Sequence, residues 1–247
     1  MANNTSDVKE QVIALLCGDA DPWTWGGVDA SCRFTFEKDG TGTISCGENQ
    51  HDWFAVESNW SFTGEPVKVD NDTWKFTVQM TLTTRIAPVY HDENPWLTGA
   101  ALQDHLQNPP PPSKAPFPWS PLHSAAFNPK HYTLTLSRGR FIEPFHYFIK
   151  RSYPLFQFGN YGSSRFAPNR YASQLAFDVS PYPPRMEWAE SWEYGSLGLS
   201  LDFHQHWEKK EFVRDAIAKK DETWAETLDL GWWLSPAVGD AYKRGMT

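Results

Sequence analysis

The segment from Trp74 to Thr83 constrains the fold most strongly, because apolar and polar residues alternate along its whole length. One face would carry only apolar side chains: Trp74, Phe76, Val78, Met80 and Leu82. A period of two residues is the pattern of a β-strand with one buried face and one solvated face. This segment therefore predicts a half-buried strand.

Alternation of the same kind gives eight strand candidates along the chain: 32–36, 43–46, 54–62, 74–83, 132–136, 145–149, 186–194 and 197–203. Antiparallel strands joined by local turns most simply close into an up-and-down barrel, which leaves no open sheet edge. No domain boundary or internal repeat interrupts the series. We therefore predict an all-β fold in which residues 1–247 form one domain, an eight-stranded antiparallel β-barrel.

Helical spacing of apolar residues occurs only near the two ends of the chain. It predicts a short N-terminal helix over residues 7–17 and a longer C-terminal helix over residues 208–228. Residues 85–130, which include the proline run Pro109–Pro112, and residues 152–184 carry no hydrophobic period. We predict that these two segments are long loops.

Charge and cysteine usage exclude several classes of protein. The net charge is −8 and no run of Lys or Arg stands out, so we expect no nucleic-acid partner. No stretch reaches the roughly 18 apolar residues of a membrane-spanning helix. The N-terminus lacks the basic-then-apolar order of a signal peptide, and the 3 cysteines show no CxxC spacing. A cytoplasmic protein is the expectation, and the oligomeric state stays open.

Aromatic residues are unusually frequent, with 13 Trp, 9 Tyr and 16 Phe in 247 residues. Six of them fall on apolar strand faces: Trp60, Trp74, Tyr132, Tyr147, Trp188 and Trp192. Flat, stiff walls with a few NH and OH donors suit a polyene or polycyclic ligand. The alternative is an aromatic core that fills the barrel and leaves no cavity.

In addition to the Tyr132 hydroxyl, two charged residues are candidate catalytic groups. Glu190 shares the apolar face of Trp188 and Trp192, where burial would favour a neutral acid or a poised base. Its alternative role is structural, as a carboxyl bound to an arginine or to an indole NH. Arg85 directly follows the clearest strand, near a barrel mouth, where it can donate to a ligand carbonyl.

Asp202, His204 and His206 would share one face of a strand, where two imidazoles and a carboxylate can converge on a metal ion. The intervening residues Leu199, Leu201 and Phe203 form the apolar face. The histidine face is therefore predicted to be solvated, and we predict no metal site.

The order of eight strands followed by a helix resembles the calycin group, the lipocalin-like barrels. The local pattern Phe34-Thr-Phe36, Asp39-Gly-Thr-Gly42 and Cys46 is similar to small fungal proteins of that type. Some barrels of lipocalin-like shape act in natural-product pathways as cyclases, including Diels–Alder catalysts. The resemblance thus implies secondary-metabolite biosynthesis and a hydrophobic small-molecule substrate.

The sequence lacks the nucleophile elbow, the phosphate-binding loop, the dinucleotide fingerprint and the zinc-protease motif. This absence disfavours cofactor-dependent redox chemistry and covalent hydrolysis. Together with the resemblance, it leads us to expect a cofactor-free cyclase or isomerase, in particular one that folds a polyene for an intramolecular Diels–Alder reaction. Glu190, Tyr132 and Arg85 are its candidate catalytic residues. The alternatives are an acid–base isomerase that uses Glu190, a non-catalytic carrier of a hydrophobic molecule, and a module that presents exposed indoles to another protein.

Overall fold

The computed structural model describes residues 3–18, 21–26, 32–48, 51–85, 98–111, 122–145, 169–188, 193–194, 199–200 and 205–228. Predictions for residues 146–150, 189–192 and 201–204 lie outside the described residues.

The described chain consists mainly of β-strands with short helices between and around them. The strands are β1 Trp23–Thr24, β2 Cys32–Phe34, β3 Thr41–Glu48, β4 His51–Phe62, β5 Val67–Asp70, β6 Thr73–Leu82, β7 Lys130–Ile142, β8 Arg170–Phe177, β9 Glu193–Tyr194, β10 Leu199–Ser200 and β11 Glu211–Ala216. The α-helices are α1 Asn3–Leu16, α2 Gly99–Gln107 and α3 Trp224–Leu228. Short 3-10 helices are Ser124–Phe127, Arg185–Glu187, His206–Glu208 and Lys219–Asp221.

One large antiparallel sheet closes on itself as a ring. Its strand order is β4-β3-β2-β1-β11-β8-β7-β6-β5, and β4 also pairs with β6. The β4–β6 pairing joins the two ends of the series, so eight strands form the ring and β5 is attached outside it as a hairpin with β6. β9 and β10 pair separately as a two-stranded sheet. The predicted antiparallel sheet is confirmed in this form.

The sequence patterns located only part of this ring correctly. The predicted long C-terminal helix is wrong, because residues 211–216 form β11, which pairs with β1 and β8. The predicted strand over 186–194 is also wrong at its start, where Arg185–Glu187 is a 3-10 helix. Within the predicted loops, residues 170–177 form a ring strand and residues 99–107 form a helix.

Aromatic side chains line the interior of the ring and contact one another edge to face, the arrangement that aromatic pairs prefer. The ring centroid of Phe34 on β2 lies 5.5 Å from that of Phe177 on β8 and 4.6 Å from that of Phe212 on β11. β1 and β11 separate β2 from β8 in the sheet, so the contact between Phe34 and Phe177 crosses the interior. Trp60 continues this set, 5.1 Å from Phe36.

Helix α1 closes one end of the ring. Val12 and Leu16 are four residues apart, share one helix face and are fully buried in the core. The indole Nε1 of Trp23 donates to the Leu16 carbonyl at 3.1 Å, and Arg214 Nη1 donates to the same carbonyl at 3.0 Å. Arg214 Nη2 donates to the Leu15 carbonyl, and its guanidinium lies 4.4 Å from the Trp23 ring centroid. The first and last ring strands therefore hold the end of α1.

Residues 178–188 and 205–210 pack across the opposite end of the ring. The Tyr182 hydroxyl donates to the Ser45 carbonyl of β3 at 3.0 Å. The Ser180 hydroxyl donates to the His206 carbonyl at 3.1 Å, which joins the two segments. Glu187 forms an ion pair with Lys130 at the start of β7. Both ends of the ring are thus covered by other parts of the chain.

Candidate functional site

Trp60 and Trp74, which were predicted to bind a ligand, both lie on buried strand faces of the ring. The Trp60 indole Nε1 donates to the carbonyls of Glu37 at 3.1 Å and Thr41 at 2.8 Å. These two bonds fix the orientation of the ring and occupy its only donor. Trp60 can therefore serve as a wall of a ligand site but not as a hydrogen-bond donor.

Trp74 differs from Trp60 because its indole NH donates no hydrogen bond within the described residues. The side chain is 4% exposed, and its Nε1 has no hydrogen-bond acceptor among the described residues. Buried donors without a partner are rare, because each loses its bonds to water without replacement. The Trp74 NH is therefore available to an acceptor on a bound molecule.

Tyr132 lies on β7, 5% exposed, with its ring centroid 5.7 Å from that of Phe177. Burial raises the pKa of the Tyr132 hydroxyl, and the negative charges of Glu187 and Asp178 raise it further. The hydroxyl is protonated at neutral pH, as tyrosine hydroxyls ordinarily are, and the shift extends this state to more alkaline pH. It can act as a hydrogen-bond donor in the predicted catalytic role.

Trp74 and Tyr132 occupy separate positions along the paired strands β6 and β7. Trp74 pairs with Leu136 on β7, and Tyr132 lies four residues before Leu136 on that strand. At about 3.3 Å per residue, the two positions are separated by about 13 Å along the strand. An extended molecule that lies along the strands would therefore pass both side chains.

Arg85 is placed away from the aromatic interior. Its Nε donates to Glu57 Oε1 at 2.6 Å, and its Nη2 donates to Asn59 Oδ1 at 2.5 Å. Glu57 and Asn59 alternate along β4 with the buried residues Val56, Ser58 and Trp60, so they lie on the outer face of the sheet. The guanidinium is therefore engaged outside the ring.

Trp188 is buried but does not lie on a strand of the ring. It follows the 3-10 helix Arg185–Glu187, and its Nε1 donates to the Pro183 carbonyl at 2.8 Å. Its ring centroid lies 6.5 Å from that of Trp207. The indole thus packs within the segment that covers one end of the ring. Glu190, Trp192 and Tyr147 lie outside the described residues, and their roles stay predictions.

The structure also brings together three polar side chains that the sequence patterns did not connect. Cys32 Sγ, His206 Nδ1 and Lys209 Nζ lie 3.2 Å from one another, and all three side chains are buried. The prediction that the His206 face is solvated is wrong, because His206 is 0% exposed. The predicted alternation of buried and solvated strand positions does not extend to His206, because residues 206–208 form a 3-10 helix.

No local signal could have identified this cluster, since Cys32 and His206 are 174 residues apart in sequence. Within the part of the chain that the structure describes, no three His, Cys, Asp or Glu side chains are placed to hold a metal ion. Asp202 and His204 lie outside that part. Among the described helices, none is long and apolar enough to span a membrane.

The fold and the site define a mainly β protein whose antiparallel sheet closes as a ring around an aromatic interior. No protein-family model matches the chain, and comparisons with curated proteins and with solved structures found no match. The likeness to lipocalin-like barrels therefore stays a prediction from the sequence.

Proposed function

We propose that the protein is a lipocalin-like barrel that binds a hydrophobic polyene or polycyclic molecule and catalyses its cofactor-free cyclisation. The observation that carries this proposal is the buried Trp74 NH, which has no acceptor among the described residues. A donor in an aromatic wall can orient an apolar ligand through one carbonyl or hydroxyl oxygen.

The positions of Trp74 and Tyr132 along the sheet favour an extended substrate that reaches both side chains. Trp74 and Tyr132 are separated by about 13 Å along the sheet, and aromatic rings such as Phe76 and Phe177 lie on the buried faces beside them. A pericyclic cyclisation requires no nucleophile and no metal. It requires that the reacting ends be held together, and positioning of this kind can lower a barrier by several kcal/mol.

A hydrogen bond to a carbonyl that activates the dienophile would add to catalysis. The oxygen of such a carbonyl gains negative charge in the transition state, so a donor binds it more strongly there than in the substrate. The Tyr132 hydroxyl suits this role because it lies on a buried strand face beside Phe177 and is protonated at neutral pH, as tyrosine hydroxyls ordinarily are. Glu190 stays a further candidate acid, and Arg85 is left out because its partners lie on the outer face.

A non-catalytic carrier is the second candidate, because it needs the same walls and the same donors. The two functions differ only in whether a bound polyene reacts. Binding and turnover are therefore measured separately, with variants that remove one donor at a time.

Binding is tested by titrating two polyenes, one with a conjugated carbonyl and one a pure hydrocarbon, against intrinsic tryptophan fluorescence. Trp74→Phe keeps an aromatic wall and removes the NH, and Trp224→Phe is the matched control because Trp224 is 76% exposed. One hydrogen bond contributes about 1 kcal/mol, so Trp74→Phe should weaken binding of the carbonyl compound about fivefold. Binding of the hydrocarbon should not change. Equal binding of the carbonyl compound by all three proteins would contradict the proposed role of Trp74.

Turnover is tested by incubating a linear polyene that bears a conjugated carbonyl with wild type, Tyr132→Phe and Glu190→Gln. The cyclase proposal predicts a cyclised product with wild type and a reduced kcat with Tyr132→Phe. Glu190→Gln keeps a donor and should retain much of the activity. Binding without any product would establish the carrier, and complete loss of turnover in Glu190→Gln alone would establish acid–base isomerisation instead.

A further inference from the structure

The cluster of Cys32, His206 and Lys209 combines a thiol, an imidazole and an ammonium at hydrogen-bonding distance. Each of the three atom pairs, Sγ–Nδ1, Sγ–Nζ and Nζ–Nδ1, is 3.2 Å apart. Lys209 Nζ also lies 4.2 Å from the ring centroid of Trp25, which adds a cation–π contact. Cys32 and His206 are fully buried and Lys209 is 7% exposed.

A buried ammonium group requires a nearby negative charge, because the loss of its hydration is otherwise uncompensated. Among the described residues, no carboxylate lies within ion-pair distance of Lys209 Nζ. The Cys32 thiol is the acidic group in contact with it. A thiolate on Cys32 would therefore form the ion pair that Lys209 needs, with neutral His206 accepting a hydrogen bond from the ammonium.

A second thiol lies directly across the sheet from this group. Cys32 of β2 pairs with Cys46 of β3, and both side chains are fully buried. Three positions further along the same register, Thr35 lies opposite Thr43. Thr35 N donates to the Thr43 carbonyl at 2.8 Å, so Thr35 and Thr43 are a hydrogen-bonded pair. Alternation along the ladder then makes Cys32 and Cys46 a non-hydrogen-bonded pair.

The geometry of a non-hydrogen-bonded pair suits a disulfide. Its Cα atoms are about 4.5 Å apart, which falls within the range of about 4.4–6.8 Å found for disulfides. Both side chains also point to the same face of the sheet. Cys32 therefore contacts an activating cation, Lys209, and pairs across the strands with a second thiol, Cys46.

We propose that Cys32 and Cys46 form a redox-active pair, in which a hydroperoxide oxidises Cys32 and Cys46 then closes a cross-strand disulfide. Hydrogen peroxide is close to water in size and is the oxidant best able to reach a buried sulfur. The redox pair uses none of the residues that the proposed function assigns to the ligand site.

The reaction balances with these groups alone. The Cys32 thiolate attacks one peroxide oxygen, the O–O bond breaks, and the leaving hydroxide takes a proton from the Lys209 ammonium to form water. The sulfur of Cys46 then attacks the sulfenic acid of Cys32, the S–O bond breaks, and a second water leaves with the Cys46 proton. Both sulfurs together lose two electrons, which reduce one hydrogen peroxide to two waters. Lys209 ends as a neutral amine, so no buried charge is left without a partner.

Cys17 provides an internal control in the same chain. It is only half-buried, but burial together with the charge of Glu37 raises the pKa of its thiol to about 11. Accessibility alone predicts that Cys17 is oxidised before Cys32. The proposal predicts the reverse order, because the thiolate is the reactive form.

The test treats the reduced full-length protein with hydrogen peroxide at neutral pH and follows the Cys32–Cys46 peptide pair by mass spectrometry after alkylation and digestion. Lys209→Met removes the activating cation. Lys210→Met is the matched control, because Lys210 is the exposed neighbour whose Nζ donates to the Asp178 carbonyl. Cys46→Ser removes the partner thiol, so the Cys32 sulfenic acid should accumulate and be trapped by dimedone on unfolding.

We expect the disulfide in wild type and Lys210→Met, with Cys17 still reduced, and a rate about tenfold lower in Lys209→Met, as for a tenfold loss of thiolate. The wild type alone gives a second measurement, since the ultraviolet absorption of a thiolate should be present before oxidation and disappear with it. Oxidation of Cys17 ahead of Cys32, an unchanged rate in Lys209→Met, or the absence of a thiolate signal would overturn the proposal.

Discussion

Replacing Arg214 with methionine is expected to release helix α1 from the end of the ring. Arg214 is 5% exposed and donates to the carbonyls of Leu15 and Leu16, while its guanidinium lies 4.4 Å from the Trp23 ring centroid. Leu16 keeps the bond from the Trp23 indole after the substitution, but the Leu15 carbonyl loses its side-chain donor. The variant therefore removes the main polar link between the last ring strand and α1.

The size of the effect follows from these contacts. A hydrogen bond from a charged donor contributes about 1.5–3 kcal/mol net, and a desolvated cation–π contact contributes up to about 2 kcal/mol. Methionine fills much of the same volume and avoids the cost of burying a guanidinium, which offsets part of the loss. We expect the free energy of unfolding to fall by about 3 kcal/mol, which lowers the folded-to-unfolded ratio about 150-fold.

Urea unfolding followed by tryptophan fluorescence measures this change, and hydrogen exchange of the α1 amides locates it. Arg214→Lys is the control, because lysine keeps the charge over Trp23 but cannot reach both carbonyls with a planar fork. Arg214→Lys should lower the free energy of unfolding by about half as much as Arg214→Met does. A change below about 0.5 kcal/mol in Arg214→Met, or equal losses in both variants, would refute the reasoning.

Two further predictions concern a surface carboxylate and a glycine. Hydrogen bonds from Arg140, with smaller contributions from Thr223, lower the pKa of Glu226 to about 2 from its ordinary value of 4.5. Because the pKa is lower in the folded protein, the stabilisation is present above pH 4.5 and is lost as the pH falls through about 2. An NMR titration of the Glu226 carboxyl should show a midpoint near 2, and Arg140→Gln should raise it; a wild-type midpoint near 4.5 would contradict this. Gly26→Ala should lower the free energy of unfolding by more than about 1 kcal/mol. Gly26 has φ +95°, and an added Cβ would lie 2.2 Å from Glu143 Cγ. Chemical denaturation measures the change, and an unchanged denaturation midpoint would contradict the prediction.

Local patterns were sufficient to predict the strands that have one buried and one solvated face. β6 alternates over its full length, and the structure buries Trp74, Phe76, Val78, Met80 and Leu82 as the sequence predicts. The turn at Asp39-Gly40-Thr41 also depends on adjacent residues, since Gly40 adopts φ +86° and the Asp39 carboxylate accepts from the Thr41 NH. In such segments the neighbouring residues alone determine which face is buried.

The two late strands of the ring were missed for different physical reasons. In β11, Phe212, Val213 and Arg214 are all buried, so no period of two residues exists and the spacing of apolar residues favoured a helix. In β8, the alternating buried positions include Ser173, a small polar residue that carries no hydrophobic signal. Tertiary contacts, rather than local preference, determine both strands.

The features that distinguish this protein from a bare ring of strands depend on contacts between residues far apart in sequence. The bond from Arg214 to Leu16 spans 198 residues, and the contact between Cys32 and His206 spans 174. Both join the beginning of the chain to β11 or to the segment just before it, because β1 and β11, the first and last ring strands in sequence, are neighbours in the sheet. Sequence periodicity specifies which face of a strand is buried but carries no information about which strand lies next to it. The pairing of β1 with β11 is therefore visible only in the structure, and the anchor of α1 and the buried cluster around Cys32 depend on it.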